Sequence, residues 1–409
     1  MSNRVIVIGA GAAGLMAAGK AAERGRDVLL LEKNDRVGKK LLISGKGRCN
    51  ITNNTDIDGL IQNIPGNGNF LYSSFYTFSN VDLIELLNNE GLETKVERGG
   101  RVFPVSDRAQ DVVHILQRLA EKRGAKIQLN ASVDRIEVKD GRVTGVRLKD
   151  GSFIEGSAVV LATGGASYPG TGSTGDGYAM AQKLGHRITP LRPSLVPLLT
   201  AEKWISELMG LSLKNISITI LDKKGRKIFY DFGEMLFTHF GVSGPLILSC
   251  SRHILNYDYK DVKLVIDLKP ALDEETLDAR LQRDFEKFSR KQFKNSLDEL
   301  LPQKMIPVVI MLAQIPEDKP VNQITKTERR ELAKLLKAFT LEITGSRPIS
   351  EAIVTVGGVC TDEINPSTME SKLVKGLYLA GEVIDVDAYT GGFNLTIAFS
   401  TGYTAGMNC

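Results

Sequence analysis

Val5-Ile6-Val7-Ile8-Gly9-Ala10-Gly11-Ala12-Ala13-Gly14-Leu15-Met16 stands near the start of the chain, and Glu32 closes the next apolar run, Val28–Leu31. Val5–Ile8 reads as a short buried strand, Ala12–Arg24 as a helix and Val28–Leu31 as a second strand, the opening of a parallel sheet. Gly9-x-Gly11-x-x-Gly14 sits between strand and helix. Glycines there permit a tight turn and let the backbone approach a pyrophosphate, while the helix N-terminus faces the negative charge. The Glu32 carboxylate is placed to accept hydrogen bonds from an adenosine ribose and to repel a 2′-phosphate. A glycine-rich turn without a ligand is the plain alternative. It is set aside because strand, glycines, helix, strand and acid occur in that order.

A second match, Gly170-x-Gly172-x-x-Gly175, tests the pattern. Tyr168-Pro169 precedes it and no strand leads into it, so it reads as a loop near flavin or substrate rather than a second nucleotide site. Three further stretches favour FAD over NAD. Ala162-Thr163-Gly164-Gly165 follows the strand Ala158–Leu161, Gly381-Glu382 follows the strand Leu377–Ala380, and Gly391-Gly392-Phe393-Asn394-Leu395 opens the last helix, where free N–H groups again point outward. A long, extended cofactor needs contacts from both ends of the chain. The polar, glycine-rich segment Ile43–Asn53 reads as a loop along that cofactor, with Arg48 or Lys46 near phosphate and Cys49 near the isoalloxazine. A solvated turn is the bland alternative. Lys33, Asn50 and Thr52 complete the expected cofactor contacts.

The 409 residues suggest two or three domains. A formal net charge of +4 provides no global field for nucleic acid or membrane. Cys49, Cys250, Cys360 and Cys409 form no C-x-x-C pair, no zinc pattern and no small disulfide framework, which fits a reducing, cytoplasmic compartment. The apolar N-terminus resembles a signal peptide only superficially, because Gly9, Gly11 and Gly14 interrupt it. No run reaches the ~18 apolar residues of a membrane span. Hairpin signals at Asp140-Gly141 and Asp150-Gly151 predict a three-stranded meander. After Pro193, Ile216, Ile218 and Ile220 alternate with polar residues, and Val262–Leu268 alternates too, which predicts strands. From Asp273 to about Thr340 the pattern is helical, with Leu277, Leu281, Phe285 and Phe288 on one face and Thr325-x-x-Glu328 as a capping box. The expected fold class is α/β. It comprises an FAD-binding part at 1–193, a β-rich, substrate-side insert at 194–270, a helical insert at 271–345 and a second FAD-binding part at 346–409.

Candidate proton donors are Cys49, His239 in Phe237-Thr238-His239-Phe240-Gly241, and Tyr389. A small buried thiol and a packing histidine are the respective structural alternatives. His114, His186 and His253 read as structural. Arg101 faces either an anionic group or a surface carboxylate. Arg280, Arg283, Lys287, Arg290, Lys291 and Lys294 form either a solvated helix face or an RNA-facing patch.

Taken together, the blocks Val5–Met16, Gly45-Lys-Gly-Arg-Cys-Asn-Ile-Thr-Asn53, Ile64–Gly68, Gly172–Gly177, Leu236-Phe-Thr-His-Phe-Gly-Val-Ser-Gly-Pro245 and Gly381–Asn394 resemble the YhiN/BaiN-type flavoproteins, also termed aminoacetone-oxidase-like. The resemblance spans nearly the whole chain. It implies a two-part FAD domain of the glutathione-reductase type, a flattened β-barrel-like insert, a small helical domain and non-covalent FAD. It implies cofactor contacts at Gly9, Gly11, Ala13, Gly14, Glu32, the Arg48–Thr52 loop, Val133 through its backbone, Gly164, Glu382, Gly392, Asn394 and Leu395. Lys46 departs from the glycine many members carry. The chain also stops at Cys409, soon after its last helix. The expected activity is reduction of an electron-poor carbon–carbon double bond, with NADH or NADPH as a transient donor and a small molecule as substrate. The alternatives are oxidation of small amines or amino ketones, reduction of uridine in ribosomal RNA, and a structural flavin in a partner-binding protein. Metal sites and membrane contacts are not expected, and oligomeric state is not readable.

Overall fold

The structure, a computed structural model, describes residues 3–409. The described chain divides into two compact units, one of residues up to 193 together with 349–409, the other of residues 194–348.

The first unit is built on a five-stranded parallel sheet. Strand β1 (Arg4–Ile8) leads through the glycine turn into helix α1 (Ala12–Glu23), and β2 (Asp27–Leu31) returns beside β1. The sheet order is Leu377–Leu379, Ala158–Leu161, β1, β2, Lys126–Gln128, with Val5 opposite both Val28 and Ala158. Val5, Ile6, Val7, Val159 and Val160 have no exposed surface. This is why these strands read as unbroken apolar runs: a parallel sheet is covered on both faces.

Helix α1 is rich in Ala and Gly because it lies very close to the closing helix, Phe393–Asn408. A Cβ on Gly402 would sit 2.3 Å from the Ala13 carbonyl oxygen, and one on Gly406 2.5 Å from that of Ala17. Residues 13 and 17 therefore match 402 and 406, and the two helices run parallel.

Val133–Lys139, Arg142–Leu148 and Phe153–Glu155 form the expected antiparallel meander. Asp140 and Gly141 both have positive φ, 51° and 72°, as a two-residue hairpin of right-handed twist requires. Thr52–Asn53, Arg101–Pro104 and Thr94–Glu97 make a small antiparallel sheet in that order.

The second unit contains a closed six-stranded barrel of Leu198–Thr200, Gly241–Ser243, Lys227–Phe237, Ser212–Asp222, Val262–Asp267 and Phe339–Ser346. Ile218, Ile220, Leu264, Ile266, Phe339 and Leu341 are fully buried. Helices Glu274–Lys287, Ile306–Ala313 and Lys326–Lys337 accompany the barrel. The capping box is present: the Thr325 hydroxyl accepts from Glu328 N, and the Glu328 carboxylate accepts from Thr325 N. The stretch predicted helical to about Thr340 ends at Lys337, because Phe339, Leu341 and Ile343 alternate inward as a barrel strand. Among the described residues no helix is long and apolar enough to cross a membrane.

Candidate cofactor site

Two uncapped helix N-termini define the site. Gly11 caps α1 and Gly392 caps the closing helix, and neither helix has a side-chain cap. The first N–H groups of both lack intrahelical partners and carry the positive end of the helix dipole. With Gly402 opposite Ala13, the closing helix begins about eight residues, ~12 Å, beyond the start of α1. The two poles are thus set in line for one extended, electron-rich ligand.

The three fingerprint glycines have different reasons to be glycine. A Cβ on Gly14 would lie 1.8 Å from the Gly9 carbonyl oxygen, and one on Gly9, at φ 99°, would lie 2.6 Å from that of Ala162. Both are needed by the protein itself. A Cβ on Gly11 would meet nothing within 4 Å, and its φ of −84° suits any residue. Nothing in the polypeptide requires glycine there, and this open approach suits a pyrophosphate.

Glu32 is 7% exposed and held on both oxygens. Oε2 accepts from Ala10 N at 2.8 Å, and Oε1 accepts from Asn34 N at 2.9 Å and Asn34 Nδ2 at 2.6 Å. A carboxylate has about four acceptor positions, so one remains for a ribose hydroxyl. The chain then passes alongside: Ala131 N donates to the Glu32 carbonyl, and Val133 follows, buried, at the start of the meander. Lys33 Nζ is engaged by Thr174 Oγ1 and by Asp176 at 2.7 Å. The Gly170–Gly175 loop packs here, with Thr171 O accepting from Asn34 Nδ2. Its contacts with Lys33 and Asn34 put it beside the end of β2.

The Ile43–Asn53 loop meets the other pole. Gly45, Lys46 and Cys49 have φ of 55°, 59° and 60°; for the two non-glycine residues that conformation costs ~1–3 kcal/mol each. Thr52 lies so close to Gly392 that a Cβ there would be 2.3 Å from the Thr52 backbone, and Thr52 Oγ1 is 2.6 Å from Thr396 Oγ1. Asn53 Nδ2 donates to both Gly99 O and Gly391 O. Asn394 grips the preceding turn, accepting from Ala388 N and donating to Ala388 O and Tyr389 O. Phe393 is buried beneath Gly391, and Leu395 is half-buried against the core. A Cβ on Gly381, at φ 76°, would lie 3.0 Å from Ala13 Cβ, and Gly164 also lies at positive φ, 73°.

Two expected side chains are occupied elsewhere. The Arg48 guanidinium lies 4.1 Å from the Phe103 ring and is paired with Glu97 and with Asp107, the latter at 2.7 Å. It is drawn to the 94–104 hairpin by two carboxylates, so any contact from this position to a cofactor falls to the backbone. The Glu382 carboxylate binds Lys40 Nζ at 2.8 Å and accepts from Thr355 N at 2.9 Å, and the same holds for it. In contrast, Asn50 Oδ1 and Thr163 Oγ1 are buried without a hydrogen-bond partner. Unpaired buried acceptors are costly unless a ligand or water completes them. The open space at Gly11, these two orphaned oxygens and the two aligned helix poles fit a dinucleotide flavin.

The candidate proton donors are dispersed. Cys49 is fully buried, and burial pushes its thiol up to about 11. Such a thiol stabilises the fold below pH 9, an effect lost as pH rises through about 11. All four cysteines are buried, so native protein at pH 8 is expected to resist iodoacetamide until denaturant is added; rapid native labelling of Cys49, read by peptide mass, would show an accessible thiolate instead. Tyr389, half-buried, lies in the first unit just before Gly391. His239 belongs to the second unit, exposed at the tip of the Thr238–Gly241 turn with its ring edge-on to Phe240. His186 is a buried tether, with Nδ1 3.0 Å from Glu363 and Nε2 2.8 Å from Ser371 Oγ; burial holds its pKa down. His253 packs against Phe229, with ring centres 4.6 Å apart and the rings tilted by 36°. On the basic helix, Lys287 pairs with Glu299 and Arg280 with Asp284, and the nearby Lys294 pairs with Asp318, so much of that charge is neutralised locally.

A parallel sheet with a glycine turn, a buried acid just after its second strand and two aligned helix poles defines a Rossmann-type flavoprotein oxidoreductase. A family model described as the HI0933-like protein Rossmann domain matches residues 3–408, and the chain belongs to that family. It is 32% identical over 411 residues to the 3-dehydro-bile acid delta(4,6)-reductase of Clostridium scindens, covering 99% of this chain and 98% of that protein. It is 34% identical to the ribosomal RNA dihydrouridine synthase of Haemophilus influenzae, covering 98% and 97%. A solved 3-ketosteroid delta1-dehydrogenase from Sterolibacterium denitrificans shares the fold at 15% identity, with a TM-score of 0.54 and 99% of each chain covered. The protein is an FAD-dependent oxidoreductase.

Proposed function

We propose that this protein reduces an electron-poor carbon–carbon double bond, using electrons from NADH or NADPH, with FAD held non-covalently. Non-covalently bound FAD supplies hydride transfer from its reduced ring. The carrying observation is the closing-helix N-terminus, left uncapped and held by Asn53, Thr52 and Asn394: a fixed positive pole where negative charge can be stabilised. The α1 N-terminus with Gly11 holds the pyrophosphate in this reading, and Glu32 the ribose. Asn50 and Thr163 supply the polar contacts between them, with backbone contacts from Ala13, Arg48, Thr52, Val133, Gly164, Gly381 and Glu382. Tyr389 and His239 remain the candidates to deliver a proton to the second carbon. Cys49 instead shapes the loop, since a fully buried thiol exchanges protons poorly with substrate. The β-rich part of the second unit supplies substrate-recognising surface. The names of the two relatives described above support the reading, because a delta(4,6)-reductase and a dihydrouridine synthase each saturate a carbon–carbon double bond.

The test is an anaerobic visible spectrum before and after adding NADH or NADPH. The yellow protein is expected to bleach within seconds with one of them and to recover with an enone or uridine-containing acceptor. A flavin that stays oxidised with both nucleotides, yet bleaches with an amino ketone and releases peroxide in air, would make the protein an oxidase. A flavin that no donor reduces would make it structural.

A second reading, reduction of a uridine in RNA, is favoured by the barrel hairpin rather than by the basic helix. Tyr230 and Phe232, two residues apart on one outward face, are 55% and 53% exposed; in the adjoining turn Lys223 and Arg226 pair with Asp261 and Asp222, while Lys227 lies 5.5 Å from the centre of the Tyr230 ring. Exposed aromatics beside cations suit stacked, unpaired bases.

A further inference from the structure

The loop that reaches the closing helix carries charge beyond what binding FAD needs. Lys46 lies on the Ile43–Asn53 loop, while Arg98 and Arg101 flank the Gly99-Gly100 turn of the 94–104 hairpin. All three side chains are exposed, and among the described residues none has a carboxylate within ion-pair distance. The acids of this region are already used: Glu97 and Asp107 hold Arg48, and Asp107 also holds Lys95 at 2.6 Å. The sequence therefore neutralises the inner pair of cations and leaves the outer three without a carboxylate partner.

The hairpin turn and the loop that carry these cations meet at the Phe103 ring. Arg101 Nε donates to the Arg98 carbonyl at 3.0 Å, and its guanidinium lies 5.8 Å from the centre of the Phe103 ring. A Cβ on Gly45, next to Lys46, would come within 3.4 Å of the same ring. Asn53 ties the hairpin turn to Gly391 at the start of the closing helix, with hydrogen bonds of 2.9 Å to Gly99 O and 3.0 Å to Gly391 O. A Cβ on Gly99 would meet nothing within 4 Å, so the turn itself is open to an approaching group. A guanidinium presents a planar fork of donors that matches phosphate, and two with an ammonium suit a dianion better than a carboxylate.

We propose that Lys46, Arg98 and Arg101 form a phosphate-binding cluster beside the flavin end of the first unit, which captures a nucleotide phosphate during turnover. The phosphate comes either from the 2′ position of NADPH or from the backbone of a nucleic-acid substrate; the chemistry recognised is the same. The cluster lies outside the FAD contacts assigned above. It gives a chain with one dinucleotide fingerprint a second place to hold a nucleotide transiently. The inference rests on the oxidoreductase reading only in that a donor or substrate must reach the flavin.

The test is Arg98→Gln/Arg101→Gln, with Lys46→Gly as a separate variant. Flavin content and thermal midpoint are checked first: flavin content should match the parent in both variants because these side chains are exposed, and the midpoint should match in the double variant and be equal or higher in Lys46→Gly, where glycine relieves the positive φ. Stopped-flow flavin reduction is then measured with NADPH and with NADH, alongside anisotropy binding of a fluorescent single-stranded oligouridylate at several salt concentrations. If the donor is the source, half-saturation for NADPH rises at least tenfold in the double variant, NADH is unaffected, and Lys46→Gly shows a smaller rise of the same kind. If RNA is the source, the two donors behave as in the parent, and oligouridylate binding weakens with a salt slope shallower by about 1.4 for the two arginines. Unchanged NADPH saturation together with unchanged RNA binding overturns the proposal. Loss of reduction by both donors in the parent overturns the double-bond reductase reading instead, and RNA binding still decides the cluster.

Discussion

Gly11→Val is expected to yield a folded protein without flavin. A side chain at this position meets no protein atom within 4 Å, and the backbone is already in a region open to every residue. The change costs the fold ~1 kcal/mol, through a poorer helix cap. It places a branched side chain where the pyrophosphate must approach the α1 N–H groups. Affinity for FAD should fall by at least roughly a hundredfold, about 2.7 kcal/mol. The expected preparation is colourless, with circular dichroism of the parent and no recovery of colour on adding micromolar FAD. Gly14→Ala is the control. Its Cβ would lie 1.8 Å from a carbonyl oxygen, so it should destabilise the fold by about 3 kcal/mol or more and accumulate as insoluble chain. If Gly11→Val keeps stoichiometric flavin, the pyrophosphate does not bind at this turn.

Glu32→Ala should produce the second large loss. The carboxylate holds Ala10 N–H at the turn and Asn34 beyond it. Removing it leaves a buried donor unpaired, ~1–3 kcal/mol, and deletes the acceptor for the ribose. A hydrogen bond to a charged group contributes ~1.5–3 kcal/mol, so FAD should bind ten- to a hundredfold more weakly. The readout is the flavin-to-protein ratio after dialysis. Glu32→Gln separates the two effects, since its amide can keep one acceptor and restore part of the fold while the ribose contact stays impaired. Full retention of FAD by a folded Glu32→Ala protein would remove Glu32 from the site.

The features legible in the sequence are those set by neighbours in the chain. Val5–Leu31 folds as read because strand, glycine turn and helix are each fixed over a few residues. Asp140-Gly141 and Thr325-x-x-Glu328 are local in the same sense. What escaped depends on partners far away. Arg48 reads as a phosphate ligand until Glu97 and Asp107 are seen beside it. The Gly170–Gly175 loop carries no sign that Asn34 will hold it. The strand Phe339–Ser346 was masked by the capping box and apolar helix face just before it, although its own alternation was readable. Gly402 and Gly406, four apart on a helix, were a visible hint of close helix packing that composition alone does not assign to a partner.

The order of strands in the first sheet has a consequence for how the protein is made. Ala158–Leu161 pairs on one side with β1 and on the other with Leu377–Leu379, and the second unit lies between these two in the chain. During synthesis the apolar run Ala158-Val159-Val160-Leu161 therefore waits as an open sheet edge while the barrel is translated and folds. An unpaired, uncharged edge is a template for another chain. Crowded polysomes should be where this protein is most prone to aggregate, and a chaperone that shields that edge would protect the nascent chain until its outer strand and the closing helix emerge.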